Sequence, residues 1–553
     1  MRYCAVVQST ASSNRWLYGA VPDLLLGCGV LYMIVFVVLL FAGESVRTSQ
    51  PILLIPLLGL LTATPHYGAT LLRVYNNRRE RRSYAVFSVW ITLALIGAGF
   101  LGLHDPWVGS LLVTVFITWS PWHYTGQNYG IAVMLLRRRG VEVTPTDRRL
   151  LYWAFVLSYV FVFLVMHVSN GDGGIAPTTF DYTATKVAFL PLGIPPSVSG
   201  PLAAAALLGS VVLFGAFSVR NGASWRGVYP AGLLVVTQAL WFMLPLAIKQ
   251  FGVHTSVDSI DPDNRIYYQT WIAFLGHSTQ YLWITSWYAR RTPEWPGFTG
   301  YYARVLAAGA GATALPLLIF GPFAGGSLSL DAGLLSVCGS ILNLHHFILD
   351  GAIWKLRGRI GQVLIRNQPP DLASSPTRFG LLLRPLVWTA CACGIGIEAL
   401  LVFGGTQATH AIQEHAPAAA KRNEDRLGWF GIDRSGTRRE IGVLFLRAGL
   451  VVEGRKELLR SIDLDPSWNA YGLLAASYEV DHNWRKALEA YDAGLELKPQ
   501  QAQFWAGSAV VLEKLGRLEE AYKRIRRASE LTPNNPAIRK QLIRIGALHR
   551  SRP

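Results

Sequence analysis

Asn343-Leu-His-His-Phe-Ile-Leu-Asp350 lies inside a hydrophobic run, Leu330 to Trp354, that is long enough to cross a bilayer. Ionisable side chains at membrane depth are costly and mark functional positions by default. On a helix His346 and Asp350 are four residues apart and share a face, whereas His345 points about 100° away. A carboxylate beside an imidazole suits the partner that fixes the ring of a metal-ligating histidine. The competing reading is a pair of histidines that hydrogen-bond between helices.

The rest of the chain has the same character. Of 553 residues, 51% are hydrophobic and 15% charged, the composition of a membrane protein with a soluble part attached. Counting apolar runs of about 20 residues predicts about eleven spans, at 21–43, 51–73, 84–104, 107–135, 149–169, 201–219, 228–248, 266–288, 302–324, 330–354 and 385–405. Pro121, Gly126 and Gly130 predict a break in the fourth. The net charge of +17 collects in short loops, such as Arg78 to Arg82 and Arg137 to Arg139, so it reads as topology and not as nucleic-acid binding. With that count the N-terminus is cytoplasmic and residues beyond 405 are extracytoplasmic, as in a multi-pass protein of a bacterial inner membrane. The five cysteines precede residue 400 and include no CxxC pair, which argues against a thiolate zinc site.

Residues 406–436 are polar and alanine-rich and read as a linker with little structure. Beyond them two units align: Trp468–Pro499, with Tyr471, Ala475, Tyr478 and Ala487, and Ala502–Pro533, with Trp505, Ala509, Leu512 and Ala521. Their prolines and alanines recur every 33 or 34 residues. That period resembles the tetratricopeptide repeat, which stacks helix pairs and offers a concave face to a protein or peptide. The resemblance covers about 437–548, with a degenerate first repeat at 437–466 and a capping helix at 535–548. The expected fold is therefore all-α: a polytopic transmembrane helical bundle in 1–405, a linker in 406–436, and a small tetratricopeptide-type α-solenoid in 437–553.

Three more histidines fall inside apolar runs: His66 in Thr64-Pro-His-Tyr-Gly-Ala-Thr70, His123 in Ser120-Pro-Trp-His-Tyr-Thr-Gly-Gln-Asn128, and His277 in Gly276-His-Ser-Thr-Gln-Tyr281. With His345 and His346 they occupy four even-numbered spans and lie on one side of the core. Polar partners stand at helical spacing: Gln127 from His123, Gln280 and Tyr281 from His277, Asn343 and Asp350 from His346. Neutral imidazoles suit iron, copper or zinc. The expected metal ligands are His66, His123, His277 and at least one of His345 and His346, around Fe(II), with zinc or copper as other candidates. Asp350 and Tyr281 are the expected catalytic groups, and Asp350 or Asn343 the supporting partner.

Pro65-His-Tyr-Gly-Ala69, Trp122-His-Tyr124 and His277-Ser-Thr-Gln-Tyr281 resemble the transmembrane histidine motifs of the Brp/Blh family of β-carotene 15,15′-dioxygenases. The resemblance implies a helical membrane bundle with a His-bound iron, and His66, His123 and His277 as ligands. Tyr67 is inserted before Gly68, and Tyr281 stands where the family has a second histidine. Three functions remain open at this point. One is a membrane iron oxidoreductase acting on a lipid or isoprenoid, its tunnel lined by Trp119, Trp122, Tyr124 and Trp283. Another is a lipid-linked sugar transferase resting on Glu44, and the third is a non-catalytic anchor or transporter that presents the repeats to a partner.

Overall fold

A computed structural model of the chain describes residues 15–38, 51, 53–75, 82–168, 187–243, 272–293, 295–321, 328–356, 358–365 and 378–550. Glu44, the basic residues Arg78, Arg79 and Arg81, and the tip of the expected seventh-to-eighth connection lie outside them. The described residues are helical, with one isolated bridge between Val168 and Ile194. Two compact units divide the chain. One is Met1–Ile319 with Leu335–Val402, and the other is Phe320–Leu334 with Phe403–Pro553.

Helices of the first unit with eleven or more residues are α1 (Thr64–Tyr75), α2 (Thr92–His104), α3 (Pro106–Arg138), α4 (Pro145–Met166), α5 (Pro196–Arg220), α6 (Trp225–Gln238), α7 (Thr279–Ala289), α8 (Gly297–Ile319) and α9 (Leu335–Ile353), after which α10 (Arg378–Gln413) runs on into the second unit. Local chemistry sets their starts. Asp105 caps α3 by accepting from the Trp107 and Val108 amides, with Pro106 in the first turn. Thr144 and Pro145 do the same for α4.

The expected break at Pro121 does not occur, because α3 is continuous for 33 residues. Proline removes a single backbone donor, and helices packed alongside hold the rest. Helix α1 crosses α8 almost backbone to backbone. A Cβ on Gly68 would stand 1.8 Å from the Val305 carbonyl oxygen, and one on Gly309 would stand 1.8 Å from that of Thr64. Small residues are what permit such an approach between apolar helices. That contact fixes His66, two residues before Gly68. Helix α1 also meets α7 and α9, and α9 meets α3, so the histidine-bearing segments are mutual neighbours.

Among the described residues five helices are long and apolar enough to cross a membrane: Val86–His104, Pro145–Met166, Pro196–Arg220, Gly297–Ile319 and Arg384–Gln413. A bent pair, Ala20–Gly27 with Val30–Val38, makes six if taken as one span. This corrects the expectation of about eleven. Helix α1 has only 12 residues and follows a π-helical stretch, Gly59–Ala63; α7 has 11 and follows another, Ile272–Ser278. Helices α3 and α9 are long enough but carry His123, Gln127, Asn128, His345, His346 and Asp350, which dilute their hydropathy. The inside–outside assignment made from eleven spans loses its count as well.

In the second unit α11 (Pro417–Gly428) is followed by α12 (Ser435–Arg447), α13 (Val451–Leu464), α14 (Trp468–Val480), α15 (Trp484–Leu497), α16 (Ala502–Lys514), α17 (Leu518–Leu531) and α18 (Pro536–Arg550). The expected linker is thus largely helical, through the end of α10 and all of α11. Three helix pairs follow, and the first is complete where a degenerate repeat was expected. Gly449, His482 and Gly516 close the turn of each pair with positive φ, at 77°, 57° and 76°. The same two hydrogen bonds end α12, α14 and α16: Leu450 to Phe445 and Gly449 to Leu446, then Asn483 to Tyr478 and His482 to Glu479, then Arg517 to Leu512 and Gly516 to Glu513. Ala475, Ala487, Ala509 and Ala521 are fully buried between helices. An ion cluster stiffens the start: Arg438 reaches Asp425 and Asp433 at 2.7 Å and Glu457 at 2.9 Å.

Candidate metal centre

His66 on α1, His123 on α3, His277 at the end of the π-helical stretch before α7, and His346 on α9 meet in the first unit. Their rings form a closed four-sided figure. Centroid separations around it are 4.7 Å (His66–His277), 5.0 Å (His277–His123), 5.0 Å (His123–His346) and 4.2 Å (His346–His66), with a His277–His346 diagonal of 6.3 Å. Adjacent rings stand nearly edge to face, at 67° to 78°. One ligand atom from each of His66, His277 and His346 lies within 4.8 Å of the others, and the same holds for His123, His346 and Asp350.

The cluster is buried, and its nitrogen atoms are unspent. Both ring nitrogens of His66 and of His277, and Nε2 of His123 and of His346, have no hydrogen-bond partner among the described residues. These six atoms face the expectation that buried polar groups are paired. Each such group left unsatisfied costs about 1–3 kcal/mol, so a cluster of six calls for a partner. The alternative reading, hydrogen bonding between helices, describes His345 and His346 Nδ1, which meet hydroxyls on neighbouring helices, but not these six nitrogens.

Around the rings the remaining groups are ordered. Thr70 Oγ1 lies 2.8 Å from His346 Nδ1, 2.6 Å from the Tyr281 hydroxyl and 3.2 Å from Asp350 Oδ1. Tyr281 donates to Asp350 Oδ1 at 2.6 Å and accepts from Trp354 Nε1 at 3.1 Å. With Thr70 donating to Asp350, His346 presents Nδ1–H to Thr70 and leaves its Nε2 lone pair facing the other rings. Asp350 Oδ1 is thereby anchored. Its Oδ2 looks into the cluster, 3.4 Å from His346 Nε2 and 3.9 Å from His123 Nε2.

The structure does not bring every expected residue here. His345 turns away and spends Nε2 on the Tyr75 and Thr92 hydroxyls, each at 3.0 Å. Asn343 accepts from the Tyr67 hydroxyl at 3.0 Å instead of serving His346. Gln127 and Gln280 pair with each other, and Gln280 continues to Asn128 and the Gly27 carbonyl. Gln238 joins that chain through Asn128, Thr125 and Ser158. Trp283 donates to Asp23, away from the cluster, and Tyr124 packs at a 33° tilt against His277 with centroids 4.2 Å apart. Thr70 and Trp354 drew no attention in the sequence. Thr70 stands four residues after His66, the spacing that would have pointed to it.

A cavity of about 300 Å³ opens beside the cluster, lined by His123, Asp350, Tyr281, Trp119, Phe347 and Trp354, among others.

Comparison with known proteins reaches the second unit. Residues 481–543 match the tetratricopeptide repeat. The chain is 29% identical over 98 residues to "Tetratricopeptide repeat protein 8" of Caenorhabditis elegans, which is 18% of this chain and 19% of that protein. It is 32% identical over 81 residues to "Protein bimA" of Emericella nidulans, 14% of this chain and 10% of that protein. The chain thus spans a fifth or less of the curated relatives it matches. A repeat that serves protein–protein interaction is consistent with a protein partner.

Proposed function

We propose that the first unit is a membrane-embedded oxidoreductase built on a single four-histidine iron centre, and that the repeats bind a protein partner. The observation that carries the reading is the closed figure of rings with six unspent nitrogens. A histidine whose nitrogen lies about 2.0–2.1 Å from a metal has its ring centroid about 3 Å away, so rings that share one ion would stand at most about 6 Å apart. The 6.3 Å diagonal fits that distance. The five ring-centroid separations given above run from 4.2 to 6.3 Å, all at or within about that reach. His66, His123, His277 and His346 would hold a first-row ion through neutral imidazoles, a donor set that suits iron or copper. When bound, a His-ligated iron would supply oxygen activation.

The chain's own residues would do the rest. Thr70 holds the His346 ring in one tautomer. Asp350 presents Oδ2 to the cluster while Tyr281 and Thr70 hold Oδ1, and the Tyr281 hydroxyl is the proton-bearing group bonded to that carboxylate. The motifs around His66, His123 and His277 that resemble the Brp/Blh dioxygenases point the same way. Membrane embedding is supported by the five long apolar helices and by their uncovered faces, such as Trp90, Leu93 and Phe100, and Leu208, Val211 and Val219.

The test is metal analysis of the purified full-length chain after anaerobic loading with Fe(II). A single ion per chain is expected. His66→Ala, His123→Ala and His277→Ala should each lose it, and His345→Ala should retain it. A wild-type protein that takes up no first-row metal, while folded, removes the enzyme reading and leaves the histidines as packing residues.

A further inference from the structure

The cavity beside the histidines is a slot with a charged end. On α3, Trp122, Gly126, Gly130 and Met134 follow one another at four-residue spacing and line it as a stripe. The slot therefore runs along α3 from His123 to Met134, eleven residues or about 16 Å. Its volume of about 300 Å³ over that length makes it narrow. Glycines make it possible. A Cβ added at Gly126, at Gly130, or at Gly351 on the facing helix α9 would meet nothing within 4 Å. At three successive places the walls withhold a side chain that the packing has room for.

The two ends differ. His123 and Asp350 close the inner end. Lys355 lines the outer end beside Leu356 and Leu364, where α3 runs into Arg137 and Arg138. Lys355 is exposed and makes no ion pair with a described residue. Trp122, on the slot wall, is 39% exposed, which gives a side entrance through the apolar surface.

We infer that the slot takes a single-chain anionic amphiphile, with its carboxylate or phosphate headgroup on Lys355 and its alkyl chain along the Gly126–Gly130 stripe toward His123. Length, narrowness and a mainly apolar lining between the ends, where Gln127 and Tyr281 are already bonded to Gln280 and Asp350, fit one extended hydrocarbon chain, and an exposed ammonium at one mouth fits an anion. This deepens the proposed function, since the inner end of the chain would lie at the metal centre. The binding itself asks nothing of the metal.

The experiment uses the full-length protein in lipid nanodiscs, stripped of metal with a chelator, and measures equilibrium binding of radiolabelled laurate, dodecyl phosphate and dodecanol. Wild type should bind one or both anions, and dodecanol about tenfold more weakly, the worth of one charge-assisted contact. The better of laurate and dodecyl phosphate identifies the headgroup. Lys355→Met should bring the anions down to the dodecanol level and leave dodecanol unchanged. Gly126→Leu with Gly130→Leu should abolish all three, and Gly130→Ala, which adds one methyl to open space, should weaken them with the fold kept. Equal binding of laurate and dodecanol to wild type, or anion binding unmoved by Lys355→Met, would overturn the inference. Because metal is absent throughout, failure here is separate from failure to load iron.

Discussion

Thr70→Val is the substitution that tests the centre most sharply. The side chains are nearly isosteric, so the change removes one hydroxyl and little volume. That hydroxyl meets three buried groups: the Tyr281 hydroxyl at 2.6 Å, His346 Nδ1 at 2.8 Å and Asp350 Oδ1 at 3.2 Å. Tyr281 keeps its bonds to Asp350 and Trp354, and Asp350 keeps Tyr281. His346 has no second partner for Nδ1, so its ring loses the one bond that selects tautomer and orientation. Groups that orient a ligating histidine are worth about 10–100-fold in metal affinity, or about 1.4–2.7 kcal/mol. Leaving Nδ1 unpaired adds a fold-stability cost of about 1–3 kcal/mol. The assay is iron retention against a graded chelator series, read beside thermal unfolding, in Thr70→Val, Thr70→Ser and wild type. Thr70→Ser keeps the hydroxyl and should stay close to wild type. If Thr70→Val holds iron as tightly as wild type, Thr70 does not position His346, and the hydrogen-bond assignment around Asp350 is wrong.

Two further outcomes concern the repeats. His482 occupies the left-handed turn position that Gly449 and Gly516 fill in the neighbouring pairs, so His482→Gly should relieve about 1 kcal/mol of backbone strain and raise the unfolding temperature of the repeats by a few degrees. Asp425 is raised by burial, but its bonds to Lys421 and Arg438 outweigh this and hold its pKa below the ordinary value of 3.8. A depressed carboxylate contributes stability above its unfolded pKa and loses it as pH falls through the folded one. Helicity of the repeats should therefore be steady above about pH 4 and decline below it. Asp425→Asn should flatten the acid limb measured by far-UV circular dichroism, and an unchanged limb would assign the decline to other carboxylates.

The repeats were legible because each one buries the same positions against its neighbour. Ala487 and Ala521 fall on one period and are both fully buried, and the turn residues Gly449, His482 and Gly516 repeat it. The stretch 406–436 misled for a local reason. Its polarity reads as a linker, yet Pro417 in a first turn followed by alanine, lysine, arginine and glutamate is a strong helix-forming sequence, and composition alone hides that. The separation of His345 from His346 was legible as an angle of about 100° on one helix, but which of the two faces the other histidines depends on where α1 and α3 pack. Gln127 and Gln280 show the same limit from the other side. Each stands at helical spacing from a histidine, and each is used by the other.

The span count failed for a reason that bears on the centre itself. A hydropathy criterion selects helices whose surface can face lipid, and most of the five that meet it are little enclosed; in Val86–His104 and Pro196–Arg220 only 22% of the apolar window is buried, although Pro145–Met166 is half buried. The segments that carry His66, His123, His277 and His346 lie against one another. Enclosed segments need not be apolar all round, and they can be short or interrupted, because neighbouring helices and not lipid meet their backbone. The π-helical stretches Gly59–Ala63 and Ile272–Ser278 come directly before the residues that hold His66 and His277 or include them. A π-helical turn inserts a residue and turns the following side chains relative to an unbroken α-helix, and such turns recur at functional sites. The same feature that costs these segments their length as regular spans therefore sets the direction in which two of the four rings point.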